Sequence, residues 1–224
     1  MSKPVLVIGN KCHSSWSLRG WLPLRHYGIA FEERRLPLET EEFAREIVKY
    51  TPTRRVPVLI DGDITVWDSL AIHEYVNERW LDGKGWPAER AARAHARTVC
   101  AEMHTGFNDL RGAMPMDCLA SGAPLAVNAA ARTYVARMRE LIAGCRARFG
   151  SRAKDGGPFL FGAFSLADCY FAPIVVRFKV YGVPLDGAVA DWVEAMWALP
   201  ALIEWVAAGR AERETVPIDM LIVP

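Results

Sequence analysis

Three short stretches in the first third of the chain combine residue types able to bind and ionise a small molecule. The first is Ser14-Ser15-Trp16-Ser17-Leu18-Arg19. It sets hydroxyls at the mouth of an expected helix, where the positive end of the helix dipole lies. A thiolate brought there gains from the dipole and from an O–H donor. A free thiol with a pKa near ~8.5 must drop by about one or two units to be mostly ionised at neutral pH, and each unit corresponds to about 1.4 kcal/mol. The plain alternative is that Ser14 or Ser15 only caps the helix.

The second stretch is Arg55-Val56-Pro57-Val58-Leu59. A cis Val56-Pro57 bond would turn the Val56 N–H and C=O outward, free to pair with an extended peptide. A trans bond would make Pro57 an ordinary strand-entrance proline. The third is Asp68-Ser69 at the start of another expected helix. Free N–H groups there, with Ser69, suit a carboxylate, and Asp68 can pair with an ammonium. An amino-acid head group carries both charges; a simple helix cap is the alternative.

The elements that must position these groups follow from pattern. Val5 to Ile8 is a short buried strand. A helix is expected from Trp16 to Tyr27, ended by Gly28, with Pro23 kinking or shortening it. Ile29 to Leu36 alternates as a strand, and Thr40 to Val48 reads as a helix. Val58 to Ile60, the turn Asp61-Gly62-Asp63, and Ile64 to Trp67 form a hairpin. Ser69 opens a helix to about Trp80. The order β-α-β-α-β-β-α fits a mixed sheet, whose strand ends and helix starts make a ligand site. Residues 83–88, rich in Gly and Pro, read as a linker between a first domain, 1–82, and a second, 89–224. The second reads as all helix: Ala88 to Gly112, Ala123 to Phe149, Ser165 to Phe178, Gly187 to Ala198 and Pro200 to Ala208, with a polar loop at Gly150 to Gly157. A cleft is expected between the domains.

Composition narrows the classes. Apolar residues make up 51%, and 27 basic against 26 acidic residues leave a formal charge of +1. No like-charge run points to nucleic acid or an anionic membrane. No uncharged apolar run is long enough for a transmembrane helix, and Val5 to Ile8 is too short for a signal-peptide core. Five cysteines with no paired spacing suit a reducing compartment, so the cytoplasm is expected. No C-x-x-C or His/Cys cluster at metal spacing is present, so no metal is expected.

Taken together, the three stretches resemble the soluble glutathione transferase family, especially its serine-type classes. The zeta class has a similar Ser-Ser-x-Ser-x-Arg stretch, matched here by Ser14, Ser15, Ser17 and Arg19. Val56-Pro57 and Asp68-Ser69 sit where that family places its cis-proline and its γ-glutamyl-binding pair. Phe164-Ser165-Leu166-Ala167-Asp168 resembles the family's capping box, a structural motif. The resemblance covers nearly the whole chain. It implies an α/β thioredoxin-like N-terminal domain, an all-α helical-bundle C-terminal domain and a homodimer. Trp16 stands where the zeta pattern has cysteine, Arg55 where glutamine is familiar, and Gly20 and Pro23 are unusual in the first helix.

The resemblance further implies a site. Ser14, with Ser15 as the fallback, would donate to the thiolate of the co-substrate glutathione. Arg19, Arg55, Val56, Pro57, Asp68 and Ser69 would hold glutathione. Met103, Phe107, Arg111 and Met114, on or just after the first long helix, would line a pocket for a small hydrophobic electrophile; bundle core is the alternative for the apolar three. His104 is expected to be a hydrogen-bonded helix residue. Three other functions stay open: a zeta-like isomerase holding a diacid on Arg19 or Arg111, a thiol oxidoreductase using Cys12, and a non-catalytic binding module. Cys100, Cys118, Cys145 and Cys169 are expected in the core.

Overall fold

The computed structural model describes residues 3–120, 129–150, 156–214 and 216. Four strands form one sheet in the order β2-β1-β3-β4: β1 (Val5–Ile8), β2 (Glu32–Arg35), β3 (Val58–Asp61) and β4 (Ile64–Val66). β1 and β2 run parallel, Val5 opposite Glu32, across the crossover helix α1 (Ser15–His26). β3 lies antiparallel to β1 and to β4, the latter pair being the expected hairpin. Helix α2 (Glu41–Ile47) starts on Thr40, whose hydroxyl accepts from the Phe43 N–H, and α3 (Ser69–Arg79) follows β4. β2 is shorter than the alternation suggested.

The helical domain comprises α4 (Arg90–Thr105), α5 (Asn108–Ala113), α6 (Ala129–Cys145, extended by a π-turn to Gly150), α7 (Leu166–Val180), α8 (Gly187–Trp197) and α9 (Pro200–Ala211). The helix expected over 88–112 is broken in two. Gly106 leaves helical geometry and Phe107 sits at φ 66, a left-handed conformation that ends one helix and starts the next. The expected start of α6 at Ala123 and most of the polar loop before Gly157 lie outside the described residues. No helix among the described residues is long and apolar enough to cross a membrane.

Pro23 does not shorten α1. A proline has no N–H for the carbonyl four residues back, here that of Arg19. His73 of α3 supplies the missing donor: its Nε2 lies 2.8 Å from the Arg19 oxygen. Gly20, one turn earlier, lets α1 approach Pro57, since a Cβ there would stand 2.9 Å from the Pro57 Cγ. The two unusual residues of α1 therefore serve its contacts with α3 and with the strand-entrance loop.

One apolar core runs through both domains, from Leu6 and Ile8 through Trp21 to Ile142, Phe171 and Trp205. Trp21 of α1 packs on Trp205 of α9 with ring centroids 5.2 Å apart. Asp168, fully buried at the start of α7, accepts from the Ser165 N–H (2.9 Å), Leu160 N–H (2.9 Å) and Trp192 Nε1–H (2.9 Å). The Ser165 hydroxyl also donates to it, and the Asp168 N–H goes to the Ser165 carbonyl.

Candidate active site

Ser14 is the N-cap of α1. Its Oγ accepts the Ser17 N–H (3.2 Å) and contacts the Ser17 Oγ at 2.7 Å, and Ser17 Oγ accepts the Gly9 N–H at 2.9 Å. The end of β1 and the first turn of α1 are thereby joined through two hydroxyls. Ser15 occupies the first helical position, and its hydroxyl has no hydrogen-bond partner among the described residues. Both serines are buried.

The Val56-Pro57 bond is cis, as is Trp67-Asp68. Ladder pairing of β3 begins only at Val58, opposite Val7, so Val56 stands outside the sheet. Arg55, beside it, is exposed.

Asp68 caps α3 through the Leu70 N–H (3.0 Å) and is half exposed; Ser69 is fully buried. A chain of polar contacts links them through the other domain. His104 Nε2 of α4 lies 3.1 Å from Asp68 Oδ2, its Nδ1 lies 2.7 Å from the Tyr170 hydroxyl of α7, and that hydroxyl lies 3.4 Å from Ser69 Oγ. A single proton pattern satisfies all three: Ser69 donates to Tyr170, Tyr170 to Nδ1, and Nε2–H to Asp68. His104 is thus a hydrogen-bonded helix residue. Tyr170 gave no sign in the sequence, because it stands in a continuous apolar run where only its partners reveal its role.

The network encloses an unusual charge. Arg19 is completely buried between the Trp16 and Tyr170 rings, 4.4 and 4.6 Å from their centroids. Its Nε donates to the Tyr170 carbonyl (3.0 Å), but Nη1 and Nη2 have no partner among the described residues. Burial lowers its pKa. Arg111 also lies near Trp16, 5.0 Å from the ring; it donates to Asn108 and to the Met103 carbonyl, and burial lowers its pKa to about 10. Trp16 also meets His104 edge-on at 5.3 Å. The first and third stretches therefore converge on Trp16, and Gly20 ties the second to the same helix.

A cleft of about 440 Å³ opens beside this network between α3 and α4, lined by Asp68, Leu70, Ala71, Glu74, Arg97, Ala101 and His104. Met103, Phe107 and Met114 are buried in the bundle core, which leaves Arg111 as the member of that set with a free polar atom, Nε.

Cys12 is buried and its thiol lies 3.4 Å from Asp117 Oδ1. Hydrogen bonding from Cys118, followed by His13, holds its pKa below the ordinary thiol value against the opposing effect of burial. Its partners face the segment after α5.

Two family models match the chain: the glutathione S-transferase N-terminal domain over residues 13–79, and the glutathione S-transferase C-terminal domain over residues 129–208. Dichloromethane dehalogenase of Methylorubrum extorquens is 46% identical over 59 residues, 25% of this chain and 20% of that protein. A probable maleylacetoacetate isomerase of Caenorhabditis elegans is 31% identical over 109 residues, 48% of this chain and 50% of that protein. The chain thus spans half or less of these two relatives. A glutathione transferase homologue from Burkholderia gl BGR1, solved with bound glutathione, superposes with a TM-score of 0.68 at 26% identity, covering 94% of this chain and 100% of that one.

Proposed function

Because the chain belongs to the glutathione S-transferase family, we propose that it binds glutathione beside α1 and activates it as a thiolate for attack on a small hydrophobic electrophile. The observation that carries this reading is the junction of Ser14 and Ser17 at the helix mouth. Ser17 Oγ is held as an acceptor by Gly9 and sits 2.7 Å from Ser14 Oγ. When a thiolate arrives, Ser14 can rotate its O–H onto sulfur while Ser17 donates to Ser14. Two hydroxyls in series polarise one another and strengthen the terminal donor. The serine stabilises charge and takes no proton; the proton leaves the thiol for solvent as glutathione binds. Proximity of the two bound reactants supplies the rest of the acceleration.

Glutathione is held in this reading by the Val56 backbone, which lies outside the sheet, and by Asp68, whose exposed carboxylate pairs with the γ-glutamyl ammonium. Arg55 and Arg19 supply positive charge, and the α3 N-terminus, at buried Ser69, favours the carboxylate. Calorimetry tests this. Asp68→Asn should weaken glutathione binding at least several-fold, since a charge-assisted bond contributes roughly 1.5–3 kcal/mol. Equal affinity in the variant would remove Asp68 from the site.

A second reading, glutathione-dependent cis–trans isomerisation of a small diacid, is favoured by one observation. Arg19 and Arg111 both lie against Trp16 with unpartnered buried nitrogens, an arrangement suited to carboxylates. Parallel assays with an aryl halide and a cis-diacid separate the two. We also place the protein in the cytoplasm, where five free cysteines persist, and infer a homodimer. Light scattering should give twice the 25.0 kDa chain mass; the mass of a single chain at micromolar concentration would refute the dimer.

A further inference from the structure

Away from the hydroxyls of α1, two dipeptides of complementary chemistry meet at the domain boundary. Cys12-His13 belongs to the loop before α1, and Asp117-Cys118 to the segment after α5. Their backbones are fixed side by side, since the Cys118 N–H donates to the Cys12 carbonyl at 3.2 Å. The end of α9 and the residue after it hold both. Glu212 accepts the Cys12 N–H (3.0 Å), and Arg210 Nε donates to the Cys118 carbonyl (2.9 Å). On this frame the ligand atoms of Cys12, His13 and Asp117 all lie within 4.8 Å of one another. The Cys118 thiol, next along the chain from Asp117, lies 3.7 Å from the Lys11 carbonyl. Cys12, His13 and Cys118 are buried and Asp117 partly so.

We propose that Cys12, His13, Asp117 and Cys118 form a zinc site that clamps the first domain to the helical one. Two thiolates, an imidazole and a carboxylate are a borderline-soft donor set that suits tetrahedral zinc. With metal–ligand distances of about 2.0–2.3 Å, ligand atoms on a tetrahedron stand roughly 3.3–3.8 Å apart. The Cys12 Sγ to Asp117 Oδ1 distance of 3.4 Å already matches, the other pairs among Cys12, His13 and Asp117 need only a short inward shift, and the Cys118 thiol would turn from the Lys11 carbonyl to take the fourth position. His13 Nδ1 faces the Met116 carbonyl at 3.4 Å, the kind of outer contact that orients a ligating imidazole through its other nitrogen. A disulfide would account for the two sulfurs alone, not for the imidazole and carboxylate beside them. Binding releases both thiol protons to solvent, and the four negative or neutral donors leave the divalent ion over-neutralised by one charge. The site was hidden in the sequence because its ligands come as two pairs separated by more than a hundred positions.

Cobalt tests the site in the full-length protein, with readouts independent of turnover. Protein stripped of metal and kept reduced with a phosphine should take up one equivalent of cobalt. It should then show the visible bands of tetrahedral cobalt and near-ultraviolet sulfur-to-metal charge transfer. One equivalent of zinc should erase both. Cys12→Ser and Cys118→Ser should each remove about half of the charge-transfer intensity, as expected when one of two thiolate ligands is lost. Asp117→Asn, at a partly exposed position, should keep that intensity while weakening affinity roughly tenfold or more, with far-ultraviolet circular dichroism reporting that it folds. Reduced protein that takes up no cobalt overturns the proposal, whether or not Cys12 and Cys118 join as a disulfide in air. So does uptake unchanged in the Cys12→Ser/Cys118→Ser double variant.

Discussion

Ser14 has two demands on one hydroxyl. As the cap of α1 it accepts from Ser17, and in the function proposed above it would also donate an O–H hydrogen bond to the thiolate. The demands are compatible because accepting and donating use different parts of the group. Ser14→Ala should therefore fail on two measures. Loss of a cap costs about 1 kcal/mol of stability, seen as a lower Tm. Loss of a charge-assisted donor costs roughly 1.5–3 kcal/mol, or about one to two decades in aryl halide conjugation, with a higher apparent pKa for the bound thiol. Ser15→Ala, which breaks no hydrogen bond among the described residues, should leave the thiol pKa in place. If Ser15→Ala raises that pKa and Ser14→Ala does not, the roles are exchanged. The motif itself was legible from residue types at a helix mouth. The division of labour within it was not, because Gly9, Ser14 and Ser17 share one network that only the meeting of β1 and α1 creates.

At the scale of elements, Pro23 shows where sequence logic stops. The missing N–H and its orphaned Arg19 carbonyl were predictable; the donor that fills the gap sits on α3, fifty residues away. His73 must stay uncharged to serve, because it is completely buried, and burial lowers its pKa from 6.5 to about 4. An unfolded His73 takes a proton as the pH falls below its ordinary value, while the folded one does not until about 4. Stability from this group is therefore complete above the unfolded pKa and is lost progressively as the pH falls through 6.5 toward 4. The full loss is on the order of 3 kcal/mol. His73→Gln keeps an N–H for the Arg19 carbonyl and cannot titrate in this range. Buried Asp168, whose pKa is raised by burial, opposes the trend, so the informative quantity is the difference between the two proteins. Denaturant unfolding of wild type and His73→Gln between pH 7 and 4 should show wild type losing more stability. Parallel pH profiles would mean that His73 is not held neutral.

At the scale of the molecule, the two domains that the linker at 83–88 seemed to separate share one core. The α/β character of the first part of the chain and the all-helical character of the second were legible from the sequence pattern. The contacts between them were not, since they join residues far apart in the chain: Arg19 with Tyr170, Trp21 with Trp205, Leu166 with Gly85, Asp68 with His104. Were the first domain to unfold alone, α7 and α9 would lose the apolar cover of α1. Arg19, whose Nε is satisfied only across the boundary, would leave the Tyr170 carbonyl open. Such an intermediate keeps half the entropy of order while giving up much of the burial that offsets it. We therefore expect one cooperative transition. Calorimetry should give an unfolding enthalpy of about 0.7 kcal/mol per residue near 60 °C, and the van't Hoff enthalpy per chain should agree with it. Independent domains would give a van't Hoff value near half the calorimetric one. Because a dimer raises the midpoint with protein concentration, scans at several concentrations separate that linkage from domain coupling. Trp205→Ala, a cavity in the shared core worth roughly 3–5 kcal/mol, should lower the single midpoint seen by both tryptophan fluorescence and far-ultraviolet circular dichroism. If it shifts one probe and leaves the other in place, the domains fold separately and the shared core is not a unit.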